Sequence, residues 1–152
     1  MEESSKLPLK LLYIALADEL LAWWQYWTCF NSSMGKGKSD ADPEFQEHAK
    51  EEMDHADKIM QRIKELEGVP FNDPCDWRKV GNPWSPCESR NVKSQLQLTM
   101  KAEEDAIRFY TNAARVMEPL DITTYHLFCD LLKDEQKHFD DIRQLLIEWI
   151  DE

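Results

Sequence analysis

Two short motifs, Glu52-Met53-Asp54-His55 and Glu135-Gln136-Lys137-His138, each put a carboxylate and an imidazole three residues apart. Residues at that spacing share one face of a helix. In both cases the face is apolar. Phe45, Ala49, Ala56, Ile59, Ile63 and Leu66 step along it with the first motif, and Leu131, Ile142, Leu145 and Trp149 with the second. An ionised carboxylate buried without a partner is so unfavourable that it either finds a counter-charge or takes up a proton. A bound cation is the simplest counter-charge.

A helical stripe containing a single glutamate precedes each motif. Glu19 lies among Leu12, Leu16, Ala22, Trp23 and Tyr26, and Glu103 among Leu96, Met100, Ala106, Ile107 and Tyr110, so both segments read Glu-x-x-Ala-(Trp/Ile)-x-x-Tyr. The separations nearly agree, 33 residues from Glu19 to Glu52 and 32 from Glu103 to Glu135. The chain is therefore a helix pair written twice.

Punctuation residues bound four helices, over about 8–31, 43–67, 91–117 and 123–150. Pro8 suits a first turn, Asp42 a cap with Pro43 behind it, and Gly68 with Pro70 a stop; Pro119 ends the third helix and the Asp121–Thr124 stretch opens the fourth. Residues 69–90 hold four prolines, two tryptophans and two cysteines with no helical period. Short links make each helix pair antiparallel, so this stretch must be the long crossover that joins the pairs. The expected fold is all-α: one domain over residues 1–152, a four-helix bundle with a single long crossover and no fifth helix. Six Trp, six Phe and four Tyr supply its core. Aromatics fall on more than one face of Trp23-Trp24-Gln25-Tyr26-Trp27, which predicts contact with another subunit or with the crossover.

A net charge of -12 argues against nucleic-acid binding, which needs a basic face. Asp18 and Glu19 interrupt the most apolar stretch, Leu7 to Phe30, so no membrane span is expected, and the first residues lack a signal-peptide pattern. The expected location is cytoplasmic. Glu19, Glu52, His55, Glu103, Glu135 and His138 together bring four negative charges and two imidazoles, enough to hold two divalent cations near neutrality. Oxygen-rich coordination suits iron or manganese better than zinc and stabilises the ferric state. The competing reading, a polar core satisfied by Arg or Lys, lacks basic residues on the inner stripes.

The doubled Glu…Glu-x-x-His pattern resembles the ferritin-like superfamily. Glu19-Leu-Leu-Ala-Trp-Trp-Gln-Tyr26 with Glu52-Met-Asp-His55-Ala-Asp resembles bacterioferritin over essentially the whole chain. That resemblance implies a di-iron ferroxidase in which Glu52 and Glu135 bridge two irons, Glu19 and Glu103 are terminal ligands, and His55 and His138 each complete one iron. It implies oxidation of ferrous iron by hydrogen peroxide or dioxygen, storage of ferric mineral and protection against oxidative stress. The missing fifth helix points to a dodecameric cage rather than a 24-subunit shell. Cys75 and Cys87, framed by Trp77 and Trp84, resemble the cysteine pair of Dps-like thioferritins and imply a redox or disulfide pair; Cys29 and Cys129 read as small packing residues. Met53 stands where bacterioferritins carry a haem-ligating methionine, but haem is not expected in the dodecameric branch. His48, one turn before Glu52, is open to two readings, a transient iron contact or a solvent-facing residue. Two rivals remain: a cage-free di-iron peroxidase of rubrerythrin type, for which the paired Cys-x-x-Cys module is missing, and a DNA-protecting Dps-type nucleoid protein, for which the basic tail is missing.

Overall fold

The computed structural model describes residues 2–149, and five helices are present among them: α1 (Glu2–Ser32), α2 (Lys38–Glu65), α3 (Cys75–Val80), α4 (Val92–Met117) and α5 (Ile122–Ile147). α1 pairs with α2 and α4 with α5, and the two hairpins face each other through α1–α4 and α2–α5 contacts. The four long helices form the expected bundle. The count differs from the expectation because of α3, a six-residue helix inside the crossover. Its causes are local: Pro74 supplies a helical φ of -57°, and the Asp73 side chain accepts the Cys75 N–H at 2.9 Å. So short a helix leaves no periodic signature in the sequence.

Two helix starts lie earlier than the prolines suggest. α1 already runs from Glu2, with Pro8 inside it, and α2 runs from Lys38, with Pro43 inside it. A proline within the first turns of a helix removes only one backbone bond near a frayed end. Asp42 is therefore not a cap; its carboxylate takes the Ser33 hydroxyl and the Lys38 ammonium. The residue before α2 is Gly37, in the left-handed region at φ 84°, and a Cβ there would strike the Trp149 ring at 2.5 Å. α4 and α5 begin at Asn91 and Asp121, whose side chains accept from Ser94 N and Thr124 N. The fourth helix's expected end at 150 falls outside the described residues.

Apolar side chains pack in two clusters. One holds Leu12, Leu16, Ile59, Ile63, Met117, Phe128 and Leu131; the other holds Tyr26, Cys29, Phe45, Val92, Leu96 and Ile142. Each fully buried Leu or Ile contributes about 1.5–3 kcal/mol, which is what allows a charged layer to be held between them. The crossover is tied to α1 by Asp18, which accepts Asn82 N at 2.7 Å, and by Gln25, which donates to Ser85 O at 2.8 Å. Trp24 and Trp27 stay exposed on α1. Among the described residues no helix is long and apolar enough to cross a membrane.

Candidate metal centre

The structure brings all six expected residues together at mid-bundle, one glutamate each from α1 and α4 and one Glu-x-x-His each from α2 and α5, all of them buried. They form two overlapping groups, Glu19–Glu52–His55–Glu135 and Glu52–Glu103–Glu135–His138, in each of which one donor atom per residue lies within 4.8 Å of the others. Glu52 and Glu135 belong to both groups, as residues lying between two sites must.

Every one of the six presents a buried atom with no hydrogen-bond partner among the described residues: Glu19 Oε2, Glu52 Oε1, His55 Nδ1, Glu103 Oε2, Glu135 Oε1 and His138 Nδ1. These atoms are close without being aligned for donation. His55 Nδ1 lies 2.9 Å from Glu135 Oε1 and 3.4 Å from Glu19 Oε2, and His138 Nδ1 lies 2.8 Å from Glu52 Oε1 and 3.4 Å from Glu103 Oε1. Such convergence of buried donor atoms on two points fits two cations, without which the layer must hold protons in their place. Among the described residues the charged partners of these four glutamates are histidines, not Arg or Lys.

Protons balance the layer when it is free of metal. Burial raises Glu52, and the charges of Glu135 and Glu19 raise it further; burial and Glu135 push Glu103 up to about 8. Burial also acts upward on Glu19 and Glu135, but hydrogen bonds from their neighbours, Glu52 for one and Glu103 for the other, outweigh it and hold them below the ordinary value. Glu52 and Glu103 thus favour their protonated forms, and Glu19 and Glu135 their charged ones. Burial works against a charged His55, yet Glu135 and Glu19 outweigh it and push it up to about 12; His138 rises in the same way against Glu103, Glu135, Glu51 and Glu52. Two carboxylates and two imidazoliums leave the layer close to neutral.

Four supporting contacts were not anticipated, and each crosses from one half of the repeat to the other. Tyr26 donates to Glu103 Oε1 at 2.6 Å, and Tyr110 donates to Glu19 Oε1 at 2.5 Å. Asp134 takes His55 Nε2 at 2.9 Å, and Glu51 takes His138 Nε2, a contact that holds Glu51 down to about 2. Fixing Nε2–H in this way turns the Nδ1 lone pair of each imidazole toward the carboxylates. The sequence does hold a trace of this, since an acidic residue stands directly before Glu52 and before Glu135 and a tyrosine follows each single glutamate.

The cysteines differ from expectation. Cys87 Sγ lies 3.0 Å from Cys29 Sγ, whereas Cys75 is exposed on α3. The reason is the path of the crossover, which turns Cys75 outward and returns its last residues to the end of α1, where Arg90 O accepts Met34 N at 2.8 Å. All four cysteines are free thiols. The Cys29 thiol donates to Cys87 and, with burial opposing and Ser32 and Gln95 assisting, brings Cys87 down to about 7. Cys129 packs half-buried against the core, as does Met53. His48 is not solvent-facing: it is 1% exposed, and burial together with the charge of His138 pushes it down to about 3.

A groove of about 940 Å³ between α1, α4 and the crossover reaches Glu19, Glu52, Glu103 and Glu135, giving the layer a way out to solvent.

The family described as Ferritin-like domain matches residues 9–149. A bacterioferritin of Rhodobacter capsulatus is 33% identical over 133 residues, covering 87% of this chain and 78% of that protein. A dodecameric thioferritin, the bacterioferritin-related protein of Bacteroides fragilis, superposes with a TM-score of 0.88 at 32% identity over 97% of this chain and 94% of that one. Dps of Thermosynechococcus elongatus shares the fold, with a TM-score of 0.87 at 23% identity over 95% of this chain and 94% of that one.

Proposed function

Since the chain belongs to the ferritin-like domain family, we propose that it is a ferroxidase that stores iron: ferrous ions are its substrate, bound by Glu19, Glu52, His55, Glu103, Glu135 and His138. The observation that carries this reading is the set of six buried donor atoms without partners. Glu52 and Glu135 are the bridging residues, because each belongs to both donor groups. Oxygen-rich donors stabilise ferric over ferrous iron, so bound iron gives up electrons readily to hydrogen peroxide or dioxygen. The chain's own part is to hold two ions side by side, to keep their ligands oriented through Tyr26, Tyr110, Glu51 and Asp134, and to release the protons that the ions displace.

Ferric product passes to mineral inside a dodecameric cage in this reading. Support comes from the likeness to a dodecameric thioferritin and from exposed Trp24 and Trp27, an apolar edge suited to a subunit contact. Consumption of peroxide together with ferrous iron suppresses hydroxyl-radical chemistry, a role in oxidative stress.

Stopped-flow iron oxidation and sedimentation velocity test the proposal together. Wild type is expected to oxidise two ferrous ions per chain rapidly and to sediment as twelve chains of 18.0 kDa, about 216 kDa, becoming denser after iron and peroxide. Glu52→Ala and His138→Ala are each expected to slow oxidation by 100-fold or more, taking roughly the upper end of supporting-residue effects as a floor, with assembly unchanged. Full-rate oxidation in either variant removes the site assignment. A dimer that turns over peroxide without gaining iron moves the function to a peroxidase, and tight DNA retention in a low-salt gel shift moves it to nucleoid protection.

A further inference from the structure

We propose that Glu44, His48 and Asp141 form a third divalent-cation site, on the α2–α5 face of the bundle, opposite the groove between α1 and α4. One donor atom from each of the three lies within 4.8 Å of the others. His48 Nε2 stands 3.3 Å from Glu44 Oε2 and 3.4 Å from Asp141 Oδ2. Both separations exceed the roughly 2.9 Å of a well-made N–H···O bond. On the other side of the ring, Nδ1 has no hydrogen-bond partner among the described residues, although the side chain is 1% exposed. The ring is held by its faces and edges instead. It stacks on His138 with centroids 4.2 Å apart and meets the Tyr26 edge at 5.1 Å. Packing therefore aims Nε2 at two carboxylates on facing helices, and those carboxylates, about one-third exposed, leave room for water on a bound ion.

The internal repeat supplies an independent argument. Leu131 stands four residues before Glu135 as His48 stands four before Glu52; Leu127 answers to Glu44, and Lys58, three residues after His55, answers to Asp141. Leu131 is 0% exposed, so the bundle's packing at this position is met by leucine. A buried imidazole is less favourable there than leucine unless the nitrogen aimed at the two carboxylates, Nε2, binds something. The same comparison predicts that only one side of the bundle carries the site. Two carboxylates and an imidazole of mixed hardness suit ferrous, manganous or cobaltous ions. The stack of His48 on His138 makes this ion a neighbour of the buried pair, positioned to pass cations between that pair and the α2–α5 face. Lys137 is a nearby positive charge that already acts on Glu44.

The assignment goes beyond iron oxidation and stands without it. Crystals of the full chain soaked in cobalt(II) and measured at the cobalt edge are expected to give three anomalous peaks per chain, one of them on His48 Nε2. His48→Leu and Asp141→Lys, which install the residues of the repeat's other half, are each expected to remove that peak alone and to lower cobalt stoichiometry in solution from three to two. Asp141 lies at the surface, so the second variant folds even if the first does not. A wild-type crystal without a peak at His48 overturns the proposal, as does a peak that survives both variants. A peak at His48 beside an empty buried pair overturns the di-iron reading and leaves this site standing.

Discussion

The first hairpin, α1 with α2, and the second, α4 with α5, agree at the charged layer and along the apolar stripes that flank it, and disagree at a few positions beside it. Tyr26 and Tyr110, Phe45 and Phe128, Ile59 and Ile142 occupy matching positions and are all buried. At other positions the match fails: His48 answers to Leu131, Lys58 to Asp141, and Cys29, in contact with Cys87, to Ala113. Two-fold likeness thus holds along the inner stripes, in the charged layer and in the apolar residues two turns from it, but not at every position between. The surroundings of that layer are one-sided, with a histidine–carboxylate cluster and a thiol pair present only once.

The largest effect expected from exchanging the halves is on stability. Leu131→His places an imidazole where no partner awaits it and should cost about 2–3 kcal/mol in urea unfolding of the metal-free protein. His48→Leu should be neutral or stabilising. Equal losses from both would mean that His48 is packing like any other core residue, and the asymmetry would lose its meaning.

At the layer itself the halves should respond alike. Glu51→Gln and Asp134→Asn each free one histidine Nε2, and each should weaken cobalt binding by about 10–100-fold, measured calorimetrically without oxygen. An effect at only one of them would break the equivalence of the two ions.

Titration sharpens the comparison further. Glu52, Glu103, His55 and His138 all favour their protonated forms, so two divalent cations should expel about four protons, read as the buffer dependence of binding enthalpy. Glu103 and His55 lie above their ordinary values, 4.5 and 6.5. The stability they confer is therefore full below those values and is lost as pH rises through about 8 for Glu103 and about 12 for His55. Metal-free protein should melt on the order of 5 °C lower at pH 9 than at pH 6, while cobalt affinity rises over the same interval. A melting temperature that climbs with pH would mean that Glu103 is not held protonated.

The smallest expected effect concerns the thiols. Mild diamide oxidation followed by peptide mapping should link Cys29 to Cys87 and leave Cys75 unlinked, and Cys75→Ser should not alter the yield. A Cys75–Cys87 link would restore the pairing drawn from resemblance. Both residues of that pairing sit in one loop, and nothing in their spacing reveals that α3 turns one away while the loop's end carries the other back to α1.

Much of the molecule was legible in its sequence. The apolar stripes specify the helices, and the repeated spacing brings all six charged residues to one level, because a helix face is set by local geometry that residue order alone encodes. Prolines misled at the starts of α1 and α2, since the first turns of a helix tolerate them inside as well as at the boundary. Only the tertiary structure decided which half supports which: Tyr26 with Glu103, Tyr110 with Glu19, Glu51 with His138 and Asp134 with His55. Those pairings depend on how two hairpins meet across the bundle. So does the burial of His48, which a single stripe leaves open and which the facing helix α5 settles by covering it with His138 and Asp141.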